Sequence, residues 1–497
     1  MGLPSGGAMT QAILLADLGF GDAGKGTITD FLARELGAHT IVRYNGGPQA
    51  AHNVVTSSGM QHTFAQFGSA MLLPLTKTLL SRFMLISPLN MFKEERHLST
   101  LGITNAWQRT FIDRRALVIT PFQRALNRLR EIARAGQRHG SCGEGVGECM
   151  ADFLHYGNAL LLAGDLENRA TILKKLHFLR DLKRQELDEL RPHLPGTGQV
   201  KQECSLFTDP AILADCADVY HYFAGCVTLV DEAQISALFA YPGPLIFEGA
   251  QGILLDENFG FTPYTTWSTT TFANAETLLH EHDYAGDVIK LGIVRSYATR
   301  HGAGPFPTED KALTRSLPDQ HNTWNNWQQA FRVGHFDLLT ARYACEVAGK
   351  LDYLAITHLD RLASLPSQQI ATAYRYGGAP AELATHFAHR GERITKIRAN
   401  QSANLAYQEE LTRKLFKCTP EYYELLPAAP GQSPRKNCAT FLSLLEEQLG
   451  TPIAITSTGP TAADKQWHLP RHLLQPLSAK KLKVVSKPEM LTTLSRN

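Results

Sequence analysis

The stretch Gly19-Phe20-Gly21-Asp22-Ala23-Gly24-Lys25-Gly26-Thr27 holds the residues of this chain best suited to chemistry. Closely spaced glycines expose backbone N–H groups, and a helix beginning at the end of such a loop adds the positive end of its dipole, so the stretch suits a phosphate. Lys25 supplies a point charge for the same anion. The spacing nearly satisfies the P-loop pattern G-x4-G-K-[ST] and fails only at the last position, where Gly26 replaces the hydroxyl residue. A structural strand-to-helix turn accounts for the glycines equally well, but not for Asp22. A carboxylate inside an anion cradle repels phosphate unless it holds a metal ion or removes a proton.

The elements that must position this loop are legible on both sides of it. Ala12–Ala16 is a short apolar run that reads as a strand, and helical spacing resumes at Ile28, Phe31, Leu32 and Leu36. Further strands are expected at Thr40–Tyr44, Pro244–Phe247, Val288–Ile293, Tyr353–Thr357 and Ile453–Ile455. Amphipathic helices are expected over Gln123–Arg134 and Ala170–Arg191, and a polar loop over Gln320–Gln329. Alternating strands and helices predict an α/β fold with a mostly parallel central sheet, flanking helices and a P-loop-like nucleotide site. Residues 1–8 read as a disordered leader, 9–475 as one elaborated domain and 476–497 as a basic tail.

Composition narrows the function classes. The net charge is +2 over 497 residues, and no basic stripe or base-stacking aromatic pattern points to nucleic acid. No apolar run is long enough to span a bilayer, and there is no signal-peptide pattern. The eight cysteines contain no CxxC pair, which fits reduced thiols in a cytoplasmic protein.

At the second glycine turn the pattern becomes specific. Gly21-Asp22-Ala23-Gly24-Lys25-Gly26-Thr27, then Ile41-Val42-Arg43-Tyr44-Asn45-Gly46-Gly47 and Ala51-His52-Asn53, resemble the signature of adenylosuccinate synthetases. Phe247-Glu248-Gly249-Ala250-Gln251-Gly252, Pro263-Tyr264-Thr265-Thr266, Tyr297-Ala298-Thr299-Arg300, Gly302-Ala303-Gly304-Pro305-Phe306-Pro307-Thr308-Glu309, Thr357-His358-Leu359-Asp360 and Ser457-Thr458-Gly459-Pro460 follow in the family's order. The resemblance implies a GTP-dependent ligase that phosphorylates the 6-oxo group of a purine nucleotide and displaces the phosphate with an amine. It implies Asp22, His52 and Lys25 as catalytic residues, with Mg²⁺ held by Asp22 and the Ala51 carbonyl. GTP would be bound by Gly21, Gly24, Lys25, Gly26, Thr27, His358, Asp360, Ser457 and Gly459, with Asp360 reading guanine. The purine substrate would meet Gln49, Ser141, Cys142, Gln251 and Thr266. A homodimer is also implied. On its own, His52 is an unremarkable loop histidine, Thr266 part of an ordinary turn, and Asp360 a helix cap.

The departures cluster on the acceptor side. Ser141 and Cys142 stand for two threonines, Glu144 for an arginine, and Tyr156 where the family's neighbouring subunit contributes an arginine. The arginine-rich loop that clamps aspartate in the family reads Asn326-Trp327-Gln328-Gln329-Ala330-Phe331-Arg332-Val333-Gly334-His335-Phe336-Asp337. A guanidinium fork is not replaced by glutamine or phenylalanine without loss of charge pairing. Arg332 and Arg300 are the expected acceptor-binding residues, with Arg295 and Arg342 as other sources of charge. The same two-step chemistry on a different oxo-heterocycle and amine is the alternative. A non-catalytic nucleotide-binding regulator is a third reading, disfavoured by the retention of Asp22, Lys25, His52 and Gln251.

Overall fold

The computed structural model describes residues 10–135, 140–319, 327, 330–363, 365, 368–400, 402–425 and 435–469. The leader and basic tail expected from the sequence, and most of the loop at 320–329, lie outside the described residues.

Ten strands form the central sheet: β1 (Gln11–Asp17), β2 (Thr40–Arg43), β3 (Lys77–Leu80), β4 (Thr110–Asp113), β5 (Thr228–Val230), β6 (Pro244–Glu248), β7 (Asp287–Arg295), β8 (Tyr353–Thr357), β9 (Ile453–Ser457) and β10 (Lys465–Trp467). Their spatial order is β10-β9-β8-β7-β1-β6-β2-β3-β4-β5. Every pairing is parallel except that of β9 with the edge strand β10. Strands covered on both faces read as continuous apolar runs, and β1 demonstrates why. Ile13 and Leu15 point into one core with Ile28, Phe31 and Leu32, while Ala12 and Leu14 point into another with Phe247, Phe272 and Leu278. All six strands expected from the sequence belong to this sheet.

Three elements matter most for the site. Helix α1 (Lys25–Leu36) begins directly at the glycine loop, three residues ahead of the expected helical spacing. Helices α2 (Pro121–Ala133), α3 (Val146–Tyr156) and α4 (Arg169–Leu190) form a separate lobe around Phe122, Leu126, Cys149, Leu176 and Leu179. Thr120 and Gln123 make a capping box for α2, and the Asn168 side chain caps α4. A five-stranded sheet built on Gln368–Tyr376 packs on the far side. None of the eight cysteines forms a disulfide, and among the described residues no helix is long and apolar enough to cross a membrane.

Candidate active site

A parallel sheet presents its ligand crevice at the carboxyl ends of its strands. Here those ends carry polar groups: Asp17 on β1, Glu248 on β6, Arg295 on β7, Thr357 on β8 and Ser457 on β9. Arg295, Thr357 and Ser457 line a cleft of about 1100 Å³, walled on the opposite side by α2, α3 and α4. That volume lies just above the ~300–1,000 Å³ of an ordinary small-molecule pocket. All the expected site residues except Arg332 line it.

The glycine loop is folded on Asp17. One carboxylate oxygen accepts from the Gly19 N–H at 2.8 Å, the other from the Ala23 N–H at 3.0 Å and from the Lys25 ammonium at 2.9 Å. Lys25 and Asp17 are both buried, so a phosphate arriving here competes with Asp17 for the ammonium. Gly24 is the N-cap of α1 at φ 86°, a conformation that favours glycine. Gly26 explains the departure from the P-loop pattern. A Cβ there would lie 2.8 Å from the His52 Cβ and 3.2 Å from the Asn53 carbonyl oxygen, so the approach of the His52–Val55 strand leaves room only for glycine. Gly26→Ala, which in an open helix stabilises by up to ~1 kcal/mol, is expected instead to destabilise by ~1–3 kcal/mol through overpacking. A lowered melting temperature in a thermal scan checks the sign.

Asp22 sits at φ 59°, with its carboxylate partly open to the cleft and one oxygen 3.4 Å from the His301 Nε2. Its carbonyl accepts from the Arg295 guanidinium at 3.0 Å. On the other side of the loop, the His52 Nδ1 lies 2.7 Å from Glu248, which also accepts from the Ser69 N–H at 3.0 Å and from the Ser69 hydroxyl. Burial alone would raise the Glu248 pKa, but the charges of His52 and Arg43 and its hydrogen bonds hold it down at about 2. Burial lowers the His52 pKa, against the upward pull of Glu248. His52 is therefore oriented through Nδ1 by a fixed anion, and its Nε2 is the ring nitrogen left for a ligand. Neither Asp17, Glu248 nor His301 was singled out from the sequence.

The nucleotide arm joins remote segments. The Thr27 hydroxyl donates to the Pro460 carbonyl at 2.7 Å, and the Thr357 hydroxyl to the Ala23 carbonyl at 2.8 Å. Ser457 donates to the Gly459 carbonyl, which also accepts from Lys465. His358, at φ 59°, is kept neutral by burial and by the nearby charges of Arg295, Lys465 and Arg361. Asp360 is exposed at the start of the helix Leu359–Ala363.

The residues expected to meet the purine offer open hydrogen-bonding capacity. Both amide atoms of Gln49 and the Gln251 Oε1 are buried without a partner among the described residues, although such groups are nearly always paired in a folded chain. Ser141 donates to Asn127 at 2.9 Å, and burial pushes the Cys142 thiol up to about 12, so no anion arises there. Glu144, whose charge seemed hostile to a phosphate, is turned onto Asn90, Arg124 and Arg128 and does not line the cleft.

Two acceptor expectations need correction. Arg300 is 1% exposed, and its guanidinium donates to the carbonyls of Ala303, Pro305 and Tyr264 while lying 4.2 Å over the Phe20 ring. It braces a loop. Arg332 lies outside the cleft, held by Glu309 at 2.8 Å and the Gly304 carbonyl at 3.1 Å. Arg342 is bound to Gln448, on a helix remote from the cleft. The threonine expected to contact the purine nucleotide, Thr266, does line the cleft, anchored through its N–H to the Leu255 carbonyl at 2.8 Å.

Among the described residues no group of three or more His, Cys, Asp or Glu could hold a metal ion alone. Mg²⁺ does not require one, because it is commonly bound by one or two carboxylates together with substrate phosphates. The partly open Asp22 carboxylate and the exposed Ala51 beside the phosphate loop fit that mode.

The profile of the adenylosuccinate synthetase family matches residues 15–465. The chain is 29% identical over 443 residues to the adenylosuccinate synthetase of Desulfovibrio desulfuricans, covering 88% of this chain and 96% of that protein. It is 31% identical over 456 residues to that of Desulforudis audaxviator, covering 90% and 96%. In fold it is similar to the fully ligated adenylosuccinate synthetase of Plasmodium falciparum, with a TM-score of 0.71, 19% identity and coverage of 93% and 100%. The cyanophage S-2L succinoaminodeoxyadenylate synthetase, bound to dGMP and to dATP as an energy donor, gives 0.54 at 14% identity, covering 93% and 97%.

Proposed function

The chain belongs to the adenylosuccinate synthetase family, and from that premise we propose that its cleft carries out GTP-dependent amination of a 6-oxopurine nucleotide. IMP with aspartate is the reference substrate pair. The observation that carries the reading is the placement of the Asp22 carboxylate and the Glu248-oriented His52 on either side of one phosphate loop.

In the first step Asp22 takes the N1 proton of the purine, and O6 attacks the γ-phosphorus of GTP. The bond to the β-phosphate oxygen breaks, and GDP leaves with its electron pair. Lys25, His52 and the backbone N–H groups at the start of α1 face the charge that spreads over the transferring group. Arrival of anionic phosphates favours the imidazolium form of His52, whose Nδ1–H is already engaged by Glu248, so that Nε2–H can donate. Mg²⁺ would be held by Asp22 and the Ala51 carbonyl, and would supply further neutralisation of phosphate charge. In the second step the amine nitrogen bonds to C6, the C6–O bond breaks, inorganic phosphate departs with the electron pair, and the amine gives up a proton to solvent.

The same reading assigns GTP to the arm formed by Gly21, Gly24, Gly26, Thr27, His358, Asp360, Ser457 and Gly459, and the purine to Gln49, Ser141, Cys142, Gln251 and Thr266. It takes residues 9–475 as one domain, acting as a cytoplasmic homodimer. A second reading, with a changed purine or amine, is favoured by the segment Asn326–Asp337, which keeps Arg332 as its one arginine.

Phosphate release from GTP and Mg²⁺, measured across a grid of 6-oxopurines and amines, tests both readings. Release with adenylosuccinate formation in the IMP–aspartate well is the expected result. Release only in another well establishes the second reading, and silence throughout the grid overturns both.

A further inference from the structure

We propose that Arg295 binds the carboxylate of the amino-acid acceptor, an inference that rests on the ligase reading above. The argument begins with elimination. The other guanidinium groups considered for this role are committed, Arg300 to three backbone carbonyls and Arg332 to Glu309 outside the cleft. On the helical wall Arg130 is paired with Glu148 and Glu186, and Arg134 with Glu131.

Arg295 also carries an ion pair, to Asp319 at 3.5 Å, and like Arg332 has an unpartnered Nε, but of these two it is the one that lines the cleft. It ends β7 at the cleft, is 8% exposed, and lies flat over the Tyr297 ring at 4.4 Å. One terminal nitrogen donates to the Asp22 carbonyl at 3.0 Å, and the other to the Tyr297 hydroxyl. Its Nε–H is buried with no partner among the described residues. A buried donor left open is costly, and a carboxylate entering the cleft would satisfy it. The contact with the Asp22 backbone fixes this donor beside the residue that faces the reacting purine. A carboxylate seated there holds the amine of a small amino acid next to C6.

Asp319 supplies the complementary charge. It lines the same cleft, 3.5 Å from the Arg295 guanidinium. The two opposite charges match a zwitterion, with the carboxylate on Arg295 and the ammonium drawn toward Asp319 before it loses its proton. The loss of all but Arg332 from the arginine-rich segment at Asn326–Asp337 is then a relocation of the anion clamp to the end of a core strand, where the backbone orients it.

The test compares wild type with Arg295→Met in phosphate release from GTP and Mg²⁺, over a grid of 6-oxopurine nucleotides and nucleosides. The acceptors are the twenty proteinogenic amino acids and hydroxylamine, a nucleophile without a carboxylate. The expected result is that wild type uses at least one amino acid, and that the variant's kcat/KM falls ~10–100-fold more for that amino acid than for hydroxylamine, as loss of a charged hydrogen bond predicts. Arg295→Lys, which keeps the charge and loses the fork, is expected to show the same ratio less steeply, and replaces the methionine variant if that one does not fold. Equal losses for both kinds of acceptor would mean that Arg295 only props the Asp22 loop, and would overturn the inference while leaving the ligase intact. Wild-type turnover of hydroxylamine but of no amino acid overturns it as well. A wild type silent in every well sinks the ligase reading itself.

Discussion

Asp22→Asn is expected to lower kcat by about 10³-fold, within the range that general acid–base groups supply. Asparagine tolerates the left-handed backbone that φ 59° demands, whereas alanine does so less readily. The loop itself does not depend on the Asp22 side chain, because Asp17 holds it through Gly19, Ala23 and Lys25. Arg295 grips the Asp22 carbonyl, which the substitution leaves in place. The melting temperature is therefore expected to stay close to that of wild type, and a thermal scan beside the phosphate-release assay separates loss of chemistry from loss of fold. A variant retaining more than about a tenth of the wild-type rate, against the ~10²–10⁴-fold effect of a positioned base, would remove Asp22 from that role.

The second large effect is expected at a residue that never meets the substrate. Glu248→Gln keeps the size of the side chain and removes the charge that orients His52 and stabilises its imidazolium. By analogy with other carboxylate-supported histidines, kcat should fall ~10²–10⁴-fold. The variant should also lose stability, because the Ser69 N–H and the Arg43 guanidinium then face a neutral amide. Acidification gives an independent signature. Glu248 titrates at about 2 in the folded protein against 4.5 unperturbed, so its ionised form contributes stability that is complete above pH 4.5 and is lost as the pH falls toward 2. Acid melting curves of the Glu248→Gln variant should be flatter across that window. Equal slopes for the two proteins would show that the carboxylate is not held ionised.

The two effects differ in how far the sequence announced them. The glycine loop, its flanking strand and helix, and the residues Asp22, Lys25 and His52 were legible because apolar periodicity and glycine spacing are local signals. Glu248, Asp17 and Arg295 were missed as partners for a common reason. Each is the last residue of a buried strand, and a reading by apolar runs ends the strand one or two residues short, at Phe247, Ala16 and Ile293. The signal available was the charge itself, since an ionised group directly following a fully buried run requires a partner. Which partner it finds is a property of the sheet order, as with His52 and Glu248, 196 positions apart in the chain. Arg300 and Arg332 failed in the opposite sense. They looked free because sequence does not reveal backbone carbonyls, and carbonyls and Glu309 take up their terminal guanidinium nitrogens.

The position of β1 at the middle of the sheet bears on how this protein is made. The strand is synthesised well before its two neighbours, which begin only at Pro244 and Asp287. At ~5–20 residues per second, translation takes on the order of ten seconds to a minute to deliver them. For all that time the apolar segment Ala12–Ala16 has no sheet to join, and the nascent chain carries an unpaired, highly adhesive strand. Strand β2 emerges soon after it but pairs with β6, which is equally late, and with β3, away from β1. Production of this enzyme is therefore a matter of shielding its N-terminal strand until the second half of the polypeptide arrives, and slower elongation lengthens that exposure.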